Sequence, residues 1–309
     1  MRVVFLGSPQ FAVPSLRALV HEPDIAVPLV VTQPDRPAGR GRKMTRPPVA
    51  LEAQAAGLPL LQPESLRDPR HVARIAEVQP DILLVVAYGE ILRRDVLELA
   101  PHGALNVHPS LLPRYRGAAP IPAAILNGDR YTGVSIIKLV RRLDAGPIIA
   151  QSELDITPRD TTTSLTERLA MQSAQMLPDV LRGWVQGQLA AIEQDESLAT
   201  YTHEWTRSDA RIDWSLSAVQ IDRLVRAANP WPIAWTTING SSIAIHESEP
   251  LATASSVMSP GHARLHDGRV VVTCGEGVLV LHVVQPASKR AMPALDWFRG
   301  LRREVVAFE

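Results

Sequence analysis

Ile82-Leu83-Leu84-Val85-Val86-Ala87-Tyr88 is an apolar run ended by Gly89, and it is far too short to cross a bilayer, which takes roughly 20 helical residues. A run of this length and β-branched content, bounded by a turn signal, reads as a buried strand. Similar runs lie on either side of it: Val3 to Leu6, Ala26 to Val31 and Leu58 to Leu61 before, Ala104 to His108 after. Amphipathic or alanine-rich stretches separate them. Phe11 to Val20 and Val72 to Val78 fit crossover helices, with Pro14 suited to a first helical turn. Strands alternating with helices predict βαβ units: an α/β fold whose buried, mostly parallel sheet carries helices on both faces. Thr132 to Val140 and Ile148 to Ile156 read as further strands near the sheet's edge. A long helix is expected after them. It opens with a capping box at Ser164 to Glu167, carries Leu177, Val180, Leu181 and Trp184 on one face, and should kink at Pro178.

From Gly187 to Thr206 the sequence turns polar and irregular. This predicts a first domain over residues 1–186, a linker over 187–206 and a second domain over 207–309. The second opens with Arg211-Ile212-Asp213-Trp214. A capping box at Ser217 to Gln220 then leads into Ile221, Leu224, Val225 and Ala228, and Asn229-Pro230 ends that helix. Strands follow at Ala234 to Ile238, Ser242 to His246, Val270 to Cys274 and Val278 to Val283, with Asn239-Gly240 as a hairpin turn. Asn239-Gly240-Ser241 also matches a glycosylation acceptor, but the chain shows no secretory segment, and the turn reading prevails.

The composition agrees with two modest globular domains. Of 309 residues 46% are hydrophobic, and 32 basic side chains balance 32 acidic ones, which excludes a disordered chain. The single cysteine, Cys274, excludes an internal disulfide framework and a multi-thiolate zinc site, and reads as a small buried hydrophobe. A cytoplasmic protein without membrane attachment is expected, as is a monomer. Zero net charge argues against a chain-wide nucleic-acid footprint and leaves room for local basic patches.

The chemistry concentrates in Asn106-Val107-His108-Pro109-Ser110-Leu111-Leu112-Pro113-Arg114-Tyr115-Arg116-Gly117. Alternate side chains of a strand share a face, so Asn106 and His108 point the same way at a strand's carboxyl end, where open α/β sheets bind ligands. Pro109, Pro113 and Gly117 force an irregular loop over that place. Asp144, in the turn Leu143-Asp144-Ala145-Gly146-Pro147, offers a carboxylate partner. A histidine beside a carboxylate is oriented and made more basic, and an asparagine amide can donate to a developing oxyanion, so the set suits acyl transfer to an amine. Taken alone, Asn-x-His also fits a structural hydrogen-bonded pair. Ser110 lacks the Gly-x-Ser-x-Gly elbow and reads as a loop contact. Gly7-Ser8-Pro9-Gln10-Phe11 lacks the dinucleotide fingerprint, and there is no phosphate-binding Gly-Lys-Ser/Thr loop. His262 and His266 have a possible ligand spacing but no third ligand, and read as part of a solvated loop; no metal is expected.

A second cluster spans Gln33 to Pro48, where five basic charges face one acidic charge on a Gly/Pro-rich loop. Arg36, Arg40, Arg42 and Lys43 could hold a phosphate backbone, or could be an ordinary solvated loop in an arginine-rich chain. Lys289-Arg290, with Arg299, Arg302 and Arg303, forms a smaller cluster near the end.

Taken together these segments resemble the methionyl-tRNA formyltransferases over essentially the whole chain. Asn106 to Ala118 and Leu143 to Gly146 are similar to the signature shared by 10-formyltetrahydrofolate-dependent formyltransferases. Gln33 to Lys43, Val86-Ala87-Tyr88-Gly89, Arg211 to Trp214 with Asn229-Pro230-Trp231-Pro232, and Gln285 to Lys289 are similar to the tRNA enzymes more narrowly. The resemblance implies a Rossmann-like domain that binds 10-formyltetrahydrofolate and a smaller OB-like β-barrel that helps hold methionyl initiator tRNA. It implies Asn106, His108 and Asp144 as the catalytic set, and Tyr88, Ser110, Leu111, Leu112 and Pro113 as the folate-lining residues. It places Arg36, Arg40, Arg42 and Lys43 on the loop that enters the acceptor-stem region; Lys289 and Arg290, read from their charge alone, could extend a nucleic-acid surface or be exposed residues without a function. The family pattern has an acidic residue, a glycine and then Leu-Asp-Thr-Gly where this chain has Arg141, Arg142, Leu143, Asp144, Ala145 and Gly146. A formyltransferase acting on glycinamide ribonucleotide or an amino sugar would share the catalytic set but would not need the cationic loop. An RNA-binding module on an inactive enzyme fold would not need the catalytic set.

Overall fold

The computed structural model describes residues 1–38, 41, 43–251 and 258–309. The chain forms two compact units, each discontinuous in sequence: Met1–Gly117, Tyr131–Asp155 and Thr166–Thr202 in one, Ala118–Arg130, Ile156–Leu165 and His203–Glu309 in the other. Among the described residues no helix is long and apolar enough to cross a membrane.

The first unit is built on a seven-stranded sheet in the order Ile148–Asp155, Tyr131–Lys138, Ala104–His108, Ile82–Val86, Arg2–Gly7, Ala26–Val31, Leu60–Leu61. The last five are mutually parallel; Tyr131–Lys138 runs antiparallel to both of its neighbours. Every residue of Ile82–Val86 is buried, which is why this strand is apolar throughout and does not alternate. From Arg2–Gly7 the chain first builds outward on one side, then returns to place Ile82–Val86 on the other, with Gly7 opposite Val86. The carboxyl ends of these two strands therefore define a switch point, the place where open α/β sheets form a ligand crevice. Gly7 has no room for a side chain there, since a Cβ would lie 2.8 Å from the Val86 carbonyl oxygen.

The helices differ from expectation mainly at their starts. Pro14 occupies the first turn of Val13–Val20 as expected, after a single 3₁₀ turn at Gln10–Ala12. Pro69–Glu77 begins ahead of Val72 because Asp68 caps it, accepting from the Arg70 amide at 2.9 Å. Pro48–Ala55 and Pro120–Asn127 are helices without a marked apolar stripe in sequence. The long helix runs Thr162–Val185, unbroken through Pro178. Its box sits three residues earlier than expected: the Ser164 hydroxyl accepts from the Thr161 amide at 3.0 Å, and the Thr161 hydroxyl from the Ser164 amide at 3.3 Å. Ser164 is thus the third helical residue and not the cap. The stretch 187–206, expected as a linker, is grouped with the first unit as far as Thr202. Ile192 bridges Ile148, and Tyr201–Thr202 pairs with Arg116–Gly117.

In the second unit the expected capping box is present, with Ser217 and Gln220 opening Ala218–Ala227. Asn239 and Gly240 both adopt positive φ, 48° and 73°, as a two-residue hairpin turn of this hand requires. The antiparallel sheet runs Ala234–Ile238, Ser241–Leu251, Val278–Pro286, Arg269–Thr273, His262–His266, Val305–Ala307. The Glu309 amide donates to the Thr237 carbonyl at 2.9 Å, which brings the end of the last strand back to the first and closes the sheet on itself. His262 and His266, expected on a solvated loop, are at the two ends of a strand. Cys274 is buried, and burial pushes its thiol up to about 12.

Phe308 stacks on both Trp214, centroids 5.2 Å apart, and Trp297, centroids 6.0 Å apart, inside the core of this unit. The last residues of the chain are thus part of the barrel. Phe308→Ala should destabilise the protein by about 3–5 kcal/mol, the usual cost of removing a buried aromatic. Urea unfolding checks this, and a loss under about 1 kcal/mol would deny Phe308 that role.

Candidate active site

Asn106 and His108 occupy alternate positions of Ala104–His108, so they share one face of the strand. Asn106 pairs in register with Val85 on one side and Ile137 on the other, and is half-buried. His108, the last residue of the strand, is 4% exposed. From there the chain cannot continue as sheet, and a set of polar contacts fixes its path. The Ser135 hydroxyl donates to the Ser110 carbonyl at 2.6 Å and accepts from the Leu112 amide at 3.0 Å. Gln151 donates to the Leu112 carbonyl at 2.9 Å and to the same Ser135 hydroxyl at 2.8 Å. The Ser110 hydroxyl donates to the Arg114 carbonyl at 2.7 Å. Ser110 is therefore a loop staple, as its sequence context suggests.

Tyr115 takes a left-handed conformation, φ 61°, that few residues other than glycine adopt. Its amide donates to the Thr200 hydroxyl at 2.8 Å and its carbonyl meets His108 Nε2 at 2.9 Å. Since a carbonyl can only accept, Nε2 carries a proton, and in the neutral ring Nδ1 is left with its lone pair. Nδ1 faces Asp144 Oδ2 at 3.6 Å, beyond direct hydrogen-bond length but suited to a shared water or proton. The same Oδ2 accepts from the Gly117 amide at 2.9 Å. Gly117 is required there: φ is 107°, and a Cβ would lie 2.3 Å from the Thr202 carbonyl oxygen. Burial holds the His108 imidazole below its ordinary pKa, with the Asp144 charge and the Tyr115 carbonyl opposing in part. A neutral, oriented base beside a carboxylate results.

The turn carrying Asp144 is itself held. Arg116, fully buried, donates through Nε and Nη2 to the Gln194 side-chain oxygen at 3.0 and 2.8 Å, and through Nη2 and Nη1 to the two oxygens of Glu196 at 3.0 and 3.1 Å. The Gln194 amide group donates to the carbonyls of Asp144 and Gly146, both at 2.7 Å. Arg142, one of the two arginines that depart from the family pattern, donates to Glu196 at 2.7 Å. Two arginines on Glu196 hold its carboxyl at about 2.

The other expected site residues divide. Leu112 is buried while Leu111 and Pro113 are half-buried on the same loop. The Tyr88 ring is buried in the apolar core beside Val4, Leu6 and Val85, and its carbonyl accepts from the Ser8 hydroxyl at 3.1 Å. Arg36 and Lys43 are exposed and lie on the two strands of a short antiparallel ribbon, Arg36–Ala38 with Lys43–Thr45. The stretch is thus more regular at its base than a plain loop. Arg40 and Arg42 lie outside the described residues. Lys289 and Arg290 are exposed in the turn after Val278–Pro286. Among the described residues no group of three or more His, Cys, Asp or Glu is placed to hold a metal.

Asn106 and His108 stand at the carboxyl end of Ala104–His108, one strand from the switch point, and with Asp144 they mark the site of an α/β-class enzyme. Residues 1–181 match the formyl transferase family, and residues 205–302 match the formyl transferase C-terminal domain. The chain is 47% identical over 302 residues to a methionyl-tRNA formyltransferase of Roseiflexus castenholzii, covering 98% of this chain and 96% of that one. To a methionyl-tRNA formyltransferase of Methylococcus capsulatus it is 46% identical over 303 residues, covering 97% of each. Its fold is similar to an N-formyltransferase of Helicobacter canadensis in complex with folinic acid and dTDP-3-aminofucose, with TM-score 0.68, 16% identity, and 92% and 98% of the two chains covered. It is also similar to HypX of Aquifex aeolicus in complex with tetrahydrofolic acid, with TM-score 0.63, 17% identity, and 96% of this chain and 47% of that one covered. The chain belongs to the methionyl-tRNA formyltransferase family and is a formyltransferase.

Proposed function

We propose that this chain takes the formyl group of 10-formyltetrahydrofolate and transfers it to the free α-amine of methionyl initiator tRNA, through Asn106, His108 and Asp144. The observation that carries this reading is the buried His108 ring, whose Nε2 is tied to the Tyr115 carbonyl and whose Nδ1 faces Asp144 at 3.6 Å. The amine lone pair attacks the formyl carbon, forming a carbon–nitrogen bond and an oxyanion. The Asn106 amide and the imidazolium that forms at His108 stabilise that charge. His108 and Asp144, through water, accept the proton the amine loses and return it to N10 as the old carbon–nitrogen bond breaks. Products are the formylated aminoacyl-tRNA and tetrahydrofolate. Folate ligands on two proteins of the same fold support the donor class.

Leu111, Leu112 and Pro113 would line the folate site, with Ser110 shaping the loop beneath them and Tyr88 supporting the crevice floor through its main chain. Arg36, Arg40, Arg42 and Lys43 would meet the acceptor stem, and Lys289 and Arg290 would add to the tRNA surface. The catalytic part would be the unit of Met1–Gly117, Tyr131–Asp155 and Thr166–Thr202, and the tRNA-holding part would be the unit that contains His203–Glu309. The protein would act in the cytoplasm as a monomer.

The test is transfer of labelled formyl to methionyl initiator tRNA with elongator methionyl-tRNA, free methionine and glycinamide ribonucleotide competing. Label should be confined to the initiator; label on a small amine would overturn the tRNA reading. His108→Ala should retain the fold and lower turnover by about a hundredfold or more. A folded variant at full rate would remove His108 from the mechanism. Neutralising Arg40, Arg42 and Lys43 together should raise KM for tRNA and flatten its salt dependence. An unchanged salt slope would return these residues to an ordinary solvated loop.

A further inference from the structure

Gln194 stands in the polar stretch after the long helix, yet it is only 8% exposed and every hydrogen-bonding position of its side chain is engaged. Its two N–H groups go to the carbonyls of Asp144 and Gly146, and its oxygen receives two N–H groups of the buried Arg116. Carbonyls only accept and a guanidinium only donates, so the amide has a single possible orientation. The turn it grips needs such a grip. Asp144 is held in a left-handed conformation, φ 48°, which an aspartate adopts at a cost. Gly146 sits so close to the strand Tyr131–Lys138 that a Cβ would lie 1.7 Å from the Lys138 carbonyl oxygen. One end of the turn is therefore fixed by contact with the sheet, and the Asp144 end by Gln194.

We infer that Gln194, braced by Arg116, is a positioning residue for the transfer reaction: it holds the Asp144 main chain in its left-handed turn and thereby sets the approach of the carboxylate to His108 Nδ1. This rests on the reading that Asp144 takes part in proton transfer. Gln194 touches no reacting atom in this account. Its effect is exerted on the geometry of Asp144, and displacements well under an ångström at such a group lower the rate without weakening substrate binding.

The test is a double-mutant cycle on the full chain, combining Gln194→Glu with Asp144→Asn and reading the single-turnover rate of formyl transfer together with KM for both substrates. Gln194→Glu keeps an acceptor for Arg116 but sets a carboxylate against two carbonyls. Gln194→Met, which removes the polar contacts without adding charge, is measured beside it in case the glutamate variant fails to fold. With the Asp144 carboxylate present, either substitution should slow the chemical step about 10- to 100-fold, shift its pH profile and leave KM within about twofold. In the Asp144→Asn background the same substitution should cost little more. Equal losses in both backgrounds, or a loss expressed in KM, would overturn the positioning role. An unimpaired Asp144→Asn protein would instead overturn the reading of Asp144 on which the role rests, so the two failures are distinguishable.

Discussion

The hydrogen bond from His108 Nε2 to the Tyr115 carbonyl fixes more of the catalytic unit than any other contact. It removes the imidazole proton from the side facing Asp144, and so decides which nitrogen is free for chemistry. It also demands that the chain leaving the strand Ala104–His108 turn back within seven residues and present a carbonyl to its own start. Tyr115 does this in a left-handed conformation, which costs a non-glycine residue roughly 1–2 kcal/mol. The Thr200 hydroxyl on its amide and the Arg114 guanidinium over its ring, 4.8 Å from the centroid, compensate.

Around that bond the unit is arranged in layers. The sheet sets the positions: the parallel strands carry their carboxyl ends to one edge, and the switch between Arg2–Gly7 and Ile82–Val86 lies beside the strand that carries Asn106 and His108. The antiparallel strands Tyr131–Lys138 and Ile148–Asp155 provide Ser135 and Gln151, which staple the loop. The segment after the long helix then supplies Thr200, Gln194 and Glu196, which meet the same loop from its other side through Tyr115 and Arg116. Burying Arg116 is tolerable because Gln194, Glu196 and the Tyr201 hydroxyl take up its donors; a charge left unpaired there would be strongly destabilising.

Much of this is legible in the sequence, and what is not has physical reasons. Asn106 and His108 can be placed because strand alternation and the position of strand ends are strict geometric rules. Asp144 is legible as the polar residue of a tight turn. Gln194 and Thr200 are not, because a single polar residue in an irregular stretch follows no period and its partners lie far away in sequence. Arg116 is visible within the motif, but its burial is not, since arginine in an arginine-rich chain reads as solvated. Pro48–Ala55 and Pro120–Asn127 escape notice because alanine-rich segments offer little contrast between faces. Ser164 is read as a cap when it is the other half of one, because Thr161 can play the same part.

The central claim is that His108 is a neutral base with its proton on Nε2 and its lone pair turned to Asp144. Nitrogen-15 spectroscopy of the labelled histidines, with His108 assigned by its absence from His108→Ala, tests it directly. The account predicts a neutral ring at neutral pH, protonated at Nε2, that takes its second proton only well below the ordinary imidazole value of about 6.5. An imidazolium at neutral pH, or a neutral ring with the proton on Nδ1, would contradict it.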